Sequence, residues 1–293
     1  DGVGSAMASA MSLTLIGTLL PLEKRSKAVG WTMAAGSLTF VIGAPLSVFI
    51  AGLASWRTVL LWLFLPISLT GLILAYFGVP KIDKKNISIK KDAYLMSFKQ
   101  VLLNKSATSC LVGYAFFAAA QVWGLFSVTF YRLRFGIPVE YASVILVVMT
   151  LTVALGSIIG GQFVNRIGRK KLAIVALGVS NSLIVLFVFA SNFLIVFALD
   201  LISVCLRGIG VTAVTNLTLE QVPKARGTMM SLSTVFGALG GAIGVSTGGI
   251  VLDYLGFSAL AIVFGLLTLV AVGIVYVFTK DPHKLSTVIR KRS

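Results

Sequence analysis

The sequence predicts an all-α integral membrane protein, and three observations support that prediction. Hydrophobic residues make up 57% of the 293 residues and charged residues only 12%, about half the share in a soluble globular protein. The mean hydropathy is +0.99. The apolar residues form long continuous runs without strand-like alternation. So few charges cannot cover a water-soluble fold, which excludes a soluble enzyme and a nucleic-acid-binding module despite the net charge of +16.

Nine apolar runs are long enough to cross a bilayer as helices, which requires about 20 residues each. They cover residues 2–20, 29–53, 58–79, 107–131, 139–162, 171–191, 193–217, 227–251 and 256–278. The 29 glycines are typical of membrane helices that pack closely through small residues.

Most basic residues lie in segments that fall on one side of this predicted serpentine path. The basic segments are 21–28, 80–106, 165–171, 223–227 and the tail after residue 279. Because Lys and Arg are enriched in cytoplasmic loops, we expect this side, and with it the C-terminus, to face the cytoplasm. We expect the protein to lie in the cell membrane.

The longest polar connection, residues 81–106, is predicted to be a cytoplasmic linker. From Tyr94 to Leu103 its apolar side chains share one helical face, which favours an interfacial helix that leads into the next span. A solvated linker with chance periodicity is the alternative.

An internal repeat occurs at an offset of 201 residues. The matched pairs are Arg25 with Arg226, Gly36 with Gly237, and Gly43 with Gly244. In both copies a Pro-containing basic turn precedes a Gly-rich helix. Six predicted spans separate the copies, so the repeat unit has six helices.

Pairs of six-helix halves form a known transporter plan in which the substrate binds between the halves. On this plan, residues 1–80 are the last three helices of a first half. Residues 107–279 form a complete second half, and 280–293 a basic tail. We therefore expect a fragment that lacks three helices before Asp1.

The loop from Gly161 to Lys171 resembles the loop signature of the major facilitator superfamily, G-x-x-x-D-R-x-G-R-K/R. The matching positions are Gly161, Asn165, Arg166, Gly168, Arg169 and Lys170. The loop lies between the second and third spans after the linker, as it does in that family. The resemblance covers essentially the whole chain and implies the major facilitator fold, with these nine helices as helices 4–12 of twelve.

The residue types in this loop also have a physical reading of their own. Gly161 permits close approach of two helices, Gly168 permits a tight reversal, and the bases suit an anionic inner leaflet. The resemblance implies an ion-pair latch on the cytoplasmic side, but Asn165 replaces the usual acid. Bases that serve topology alone are the alternative.

Gly36, Gly43 and Pro45 fall where the resemblance places the Gly- and Pro-rich fifth-helix motif of proton-driven exporters. The match is partial, because the Gly-Pro pair has become Gly43-Ala44-Pro45. A kink there would tighten packing between the halves and favours export; a plain packing device is the alternative.

Two ionisable residues, Asp200 and Arg207, lie inside the span 193–217. Charges within a membrane are costly and usually functional, and a separation of seven residues places both on one helical face. We expect Asp200 to exchange a coupling proton, and Arg207 to tune it or to bind an anionic group. A structural ion pair between them is the alternative.

Four further polar residues are weaker site candidates: Gln121, Tyr114, Asn181 and Asn216. The resemblance places Gln121 on a cavity-lining helix. Each of the four could instead form a hydrogen bond to a neighbouring helix.

These features predict a secondary active transporter that exports a drug-like compound or metabolite by proton-coupled alternating access. Proton-coupled uptake of a sugar or organic acid is one alternative, and a non-transporting sensor or inactive truncated relative is another. The single histidine, His283, lies in the tail, and the spans hold neither a Ser–His pair nor a metal-ligand cluster. We therefore expect no enzyme activity, no metal, no cofactor and no nucleic-acid partner. The expected partners are a small-molecule substrate, the proton and the lipid bilayer, and the resemblance implies a monomer.

Overall fold

The computed structural model describes residues 2–78 and 91–281, and every regular element within these ranges is a helix. The bounds are α1 Gly2–Leu19, α2 Leu22–Leu53, α3 Trp56–Gly78, α4 Lys91–Leu103, α5 Lys105–Phe135, α6 Val139–Ile167, α7 Arg169–Val188, α8 Phe193–Leu219 and α9 Arg226–Phe278. The first part of the predicted linker and the tail with His283 lie outside the described residues. The predicted linker helix corresponds to α4.

Six helices in the described ranges are long and apolar enough to cross a membrane, with mean hydropathies from 1.6 to 2.7. They are Trp56–Gly78, Lys105–Phe135, Val144–Ile167, Arg169–Val188, Phe193–Leu219 and Pro223–Phe278. The prediction of an all-helical multi-pass membrane protein is confirmed. The number of nine spans and the twelve-helix plan stay predictions.

Large apolar side chains cover the outside of the helices. Trp62, Phe77 and Tyr254 are 77%, 80% and 83% exposed, and no residue of Leu65–Gly78 is buried. Exposed apolar surface of this extent would be unstable in water, and it is the surface that a lipid-facing helix presents.

The helix α5 is interrupted at Val122, although the sequence predicts one continuous span over 107–131. Its two parts are Lys105–Gln121 and Trp123–Phe135. The Val122 N–H points to the carbonyl three residues back, Ala119 O, at 3.4 Å, so the helix tightens locally. Gln121 therefore lies at the bend.

The long helix α9 contains the last two predicted runs, and Gly256 separates them. Gly256 has φ 77° and ψ −176°, a conformation that is open almost only to glycine. In the first arm, 226–255, Gly240 contacts Ala115 of α5 and Gly244 contacts Ala119. In the second arm, 257–278, the order is opposite: Phe264 contacts Phe126 and Val275 contacts Gly113. The first arm thus runs parallel to α5 and the second antiparallel, so Gly256 reverses the chain.

Small residues bring α2, α6 and α8 into close contact. A Cβ added at Gly30 would lie 3.0 Å from the Cα of Gly161, which places the backbones of α2 and α6 against each other. On the other side of α6, a Cβ added at Gly160 would lie 2.8 Å from the Cα of Ile209 in α8. The helix α6 is therefore held between α2 and α8.

Candidate functional site

At one end of the helices, Glu220 pairs with two arginines from different parts of the chain. Its Oε1 accepts a hydrogen bond from Arg25 Nη1 at 2.7 Å, and its Oε2 accepts one from Arg226 Nη2 at 3.0 Å. The side chains of Arg25 and Glu220 are only 14% and 8% exposed. We call this group the Glu220 latch. It ties the start of α2 to the end of α8 and the start of α9.

Further hydrogen bonds join the linker side, the α8–α9 turn and the chain after α9 at this same end. The Lys280 N–H donates to Ser106 Oγ at 2.8 Å, and Ser106 Oγ donates to Gln221 Oε1 at 2.7 Å. Gln221 Nε2 in turn donates to the Lys280 carbonyl at 3.0 Å. Segments that the sequence assigns to one side of the membrane therefore meet at one end, which we call the basic end.

The loop between α6 and α7 reaches the same end and contacts α2. Asn165 Oδ1 accepts a hydrogen bond from Ser26 Oγ at 2.8 Å, and its Nδ2 donates to the Glu23 carbonyl at 3.3 Å. The amide thus bonds the first turns of α2 without a charge. One turn further into the helices lies the contact of Gly161 with Gly30.

The remaining loop positions differ in their surroundings. Gly168 has φ 98° at the reversal between α6 and α7, and Arg166 is exposed over the Phe163 ring. Arg169 is only 2% exposed. The Lys170 ammonium donates to the Tyr276 carbonyl at 2.7 Å, which attaches the loop to the last turn of α9.

A cavity of about 1030 Å³ lies between α2 on one side and α5, α6 and α8 on the other. Most of its wall is apolar, and Phe40 and Phe49 contribute aromatic rings from α2. Its polar lining side chains are Ser37, Gln121, Thr150, Ser157 and Arg207. Arg207 is the one charged side chain among the described residues that line it. The volume suits a drug-sized ligand.

The three hydroxyl groups in the wall already have partners on the backbone. Ser37 donates to the Met33 carbonyl, Thr150 to the Leu146 carbonyl and Ser157 to the Gly208 carbonyl. By contrast, Gln121 and Arg207 form no side-chain hydrogen bond or ion pair with any residue in the described ranges. These two side chains are therefore the ones with free N–H donors available to a solute, whereas the hydroxyl oxygens can still only accept.

Both available groups lie beside the bend of α5. Arg207 is close to the midpoint of the 27-residue helix α8, and a Cβ added at Gly124 would lie 3.2 Å from its Nη1. The missing side chain of Gly124 leaves the space that the guanidinium occupies. Gln121 lies one helical turn before Gly124.

Asp200 lies elsewhere, in a cluster of aromatic residues between α5, α7, α8 and α9. It is 1% exposed, and its Oδ2 accepts a hydrogen bond from the Tyr131 hydroxyl at 3.0 Å. Within residues 2–78 and 91–281, Oδ1 has no hydrogen-bond partner and no cation lies at ion-pair distance. Asp200 and Arg207 interact electrostatically but do not touch, because the Tyr131 hydroxyl occupies the contact position at the carboxylate; the alternative of a structural pair stays open.

Most of the other sequence candidates do not line the cavity either. Asn181 and Asn216 donate to the carbonyls of Leu177 and Thr212 in their own helices. Tyr114 packs against Gly237 of α9. Among the predicted kink residues, Gly36 lines the cavity and Gly43 does not. The side chain of Pro45 lies outside the described residues.

Sequence reasoning missed Glu220 as the common partner of the two repeat-related arginines. The signal was present, because Glu220 is an acid in a predominantly basic turn. At the repeat offset Glu220 maps onto Leu19, so the first copy has no acid at the corresponding position. The aromatic wall formed by Phe40 and Phe49 carried no distinguishing signal in an apolar helix.

With this geometry described, comparisons with known proteins identify the family. The family model for the Major Facilitator Superfamily matches residues 1–149 and 114–293. The chain belongs to the Major Facilitator Superfamily. The resemblance drawn from the loop motif is thereby confirmed.

Individual members of the superfamily are similar to this chain at low sequence identity. A protein of Helicobacter acinonychis (strain Sheeba) described as a probable sugar efflux transporter is 24% identical over 270 residues, covering 89% of this chain and 66% of that protein. This chain therefore matches slightly less than two thirds of that relative's length.

Solved major facilitator structures share the fold. The human organic anion transporter MFSD10 superposes with a TM-score of 0.72 at 15% identity, over 91% of this chain and 67% of that one. The E. coli fucose:proton symporter FucP gives 0.72 at 14% identity, over 93% and 73%. A FucP structure in the outward conformation gives 0.70 at 16% identity, over 92% and 71%.

Proposed function

We propose that this major facilitator chain carries a small solute across the membrane by alternating access, with the central cavity as the solute site. The observation that supports this most is the position of the cavity between α2 and the group α5, α6 and α8. A site between two groups of helices becomes accessible to either side when the groups rock against each other.

In this conformation, contacts between the helices close the cavity at the basic end. The Glu220 latch and the Asn165–Ser26 hydrogen bond both join α2 to helices on the other side of the cavity. When the cavity opens at the basic end, the Glu220 latch and the Asn165–Ser26 hydrogen bond must both break. These polar contacts add to the close packing of Gly30 on Gly161, so a solute bound in the cavity must favour the opened state by enough to offset the loss of both.

We propose that the basic end is cytoplasmic and that the protein works as a monomer in the plasma membrane. We also propose that the helices of this chain are helices 4–12 of a twelve-helix transporter. The excess of Lys and Arg at that end supports the orientation. The two-halves plan is supported by the repeat-related Arg25 and Arg226, which share Glu220.

We further propose proton-coupled efflux, with Asp200 as the proton-exchanging group. The efflux relative from Helicobacter acinonychis supports the direction. An enclosed carboxyl that has one hydroxyl partner and no cation in direct contact among the described residues is a group suited to carrying a proton. Because it does not line the cavity in this conformation, its proton must be exchanged when the helices rearrange. Proton-coupled uptake stays the alternative.

Cross-linking tests alternating access directly. In a full-length variant with Cys110 and Cys205 replaced by Ala, Ser26→Cys and Asn165→Cys introduce thiols where the native side chains are in hydrogen-bond contact. Proteoliposomes are loaded with a panel of radiolabelled sugars, carboxylates and cationic drugs, and efflux is followed with and without an imposed pH gradient.

The expected result is efflux of at least one solute that stops on oxidation and returns on reduction. The single-cysteine variants serve as controls and should be unaffected by oxidant. Unchanged efflux through the cross-linked protein would show that the α2–α6 contact need not open, and would overturn the proposed cycle. Accumulation in the reverse direction under an inward proton gradient would favour uptake over export.

A further inference from the structure

We infer that the cavity selects amphipathic organic monoanions, with Arg207 binding the anionic group and the apolar wall binding the body. This inference rests on the proposed function, because it takes the central cavity as the solute site. It names the chemical class of the solute from the lining of the cavity alone.

The first argument is the unpaired charge of Arg207. Its guanidinium lines the cavity and has no carboxylate partner among the described residues, while Asp200 on the same helix is bonded to Tyr131 instead. Asp200 acts on the guanidinium only as a longer-range charge, and keeping a cation inside a membrane without a counter-charge in contact is costly. A bound anion supplies that counter-charge, and a planar carboxylate can accept two parallel N–H bonds from the guanidinium.

The second argument is the shortage of other polar groups. The hydroxyls of Ser37, Thr150 and Ser157 donate to backbone carbonyls, which leaves Gln121 as the only other lining side chain in the described ranges with free donors. A solute with many hydroxyls would lose its hydrogen bonds to water and find few replacements. A solute with one anionic group and an apolar body matches the wall better.

The third argument sets the number of charges. Arg207 is the one charged side chain among the described lining residues, and Phe40, Phe49 and the aliphatic residues form most of the remaining surface. A second carboxylate would find no second cation among the described lining residues, and at most the neutral amide of Gln121. A monoanion is therefore favoured over a dianion of the same shape.

Equilibrium binding to the purified full-length protein in phosphatidylcholine nanodiscs tests the inference. The probes are radiolabelled 1-naphthoate, its neutral isostere 1-naphthamide and the dianion 1,4-naphthalenedicarboxylate. The variants are Arg207→Gln, Arg207→Lys and the control Arg132→Gln, which removes an exposed arginine at the end of α5.

We expect 1-naphthoate to bind more tightly than the amide and the dianion. Arg207→Gln should weaken 1-naphthoate binding by about tenfold or more, the usual loss for one charged hydrogen-bond partner, and change amide binding little. Arg207→Lys should lose less, and Arg132→Gln nothing. If Arg207→Gln does not fold, Arg207→Lys and the three-probe comparison on the unaltered protein still decide the matter.

Three results would overturn the inference: equal binding of acid and amide, no binding of 1-naphthoate, or unchanged acid binding in a folded Arg207→Gln protein.

Replacing a third of the lipid by phosphatidylglycerol should leave 1-naphthoate affinity unchanged, whereas competition would assign Arg207 to a lipid headgroup. This assay reads binding and the cross-linking assay reads flux. If the protein transports but prefers the amide, only the proposed anion class is refuted. If it binds the anion but its flux does not respond to the cross-link, only alternating access is refuted.

Discussion

The guanidinium of Arg25 lies 2.7 Å from the Glu220 carboxylate, so the first turn of α2 is ion-paired to the end of α8, 195 residues later in the chain. The same carboxylate also pairs with Arg226, the repeat-related counterpart of Arg25. Two positive charges therefore share one acid, and removing that acid leaves them facing each other.

Replacing Glu220 by Gln should open the basic end. The neutral amide cannot compensate two partly buried guanidinium groups, so the closed arrangement loses an ion pair on each side and gains repulsion. We expect a cysteine placed in the cavity by Thr150→Cys, in the protein lacking Cys110 and Cys205, to react about tenfold faster with a membrane-impermeant maleimide added at the basic end.

A matched control is Glu23→Gln, which removes an exposed acid at the same end. It should leave the labelling rate within about twofold, since exposed charges contribute little. Equal acceleration by both variants would mean that general charge, not the Glu220 latch, keeps this end closed.

Gly161→Ala should destabilise the packing of α2 on α6. A methyl group there would lie 2.7 Å from the Ser26 carbonyl oxygen and 3.1 Å from the Cα of Gly30, and backbone atoms cannot move aside without separating the helices. Overpacking of this kind costs about 1–3 kcal/mol. The melting temperature of the purified protein in detergent should fall accordingly.

The control for this contact is Gly241→Ala, where an added Cβ would meet no atom within 4 Å. Ala is the better helix former by up to about 1 kcal/mol, so this variant should be as stable as the parent or slightly more stable. A loss of stability in both variants would argue that helix glycines matter for another reason than the close contact.

Gly256→Ala should also destabilise the folded protein, because of the backbone conformation at residue 256 and not because of side-chain contacts. No atom lies within 4 Å of an added Cβ at Gly256, yet its φ of 77° with ψ −176° is a conformation that costs other residues about 1–3 kcal/mol. Gly249→Ala, at a helical position with the same open surroundings, should be tolerated. Thermal unfolding of the two variants side by side distinguishes steric from conformational cost.

Asp200→Asn should abolish the dependence of transport on a pH gradient and leave expression unchanged. The amide keeps a hydrogen-bond acceptor for the Tyr131 hydroxyl but cannot release a proton. Tyr131→Phe is the companion variant, since it removes the hydroxyl and keeps the carboxyl. If Asp200→Asn transports normally under a pH gradient, Asp200 is a structural residue and the coupling group lies elsewhere.

Much of the helical framework could be predicted from the sequence, because apolar run length and basic segments are local properties. The predicted connection between the spans 227–251 and 256–278 ends one residue before the reversal at Gly256. The break at Val122 could not be predicted from hydropathy, since both parts of α5 are apolar.

The site was harder to predict than the fold, because it depends on which face of each helix meets which neighbour. Gln121 and Arg207 line the cavity, but Asp200, two turns from Arg207 on α8, is enclosed with Tyr131. Spacing alone placed the two charges on one face. Spacing could not show that the Tyr131 hydroxyl of α5, and not Arg207, contacts the Asp200 carboxylate.

The hydrogen bond from Lys280 N–H to Ser106 Oγ brings the first turn of α5 next to the second residue after α9. The helices α5 to α9 therefore form a ring whose two ends are neighbours, and such units tolerate circular permutation. A short peptide joining these ends, with new termini opened in the turn before Asn192, should preserve the packing of the group. In such a permuted protein the helices could be moved, as a unit, to either end of a longer gene.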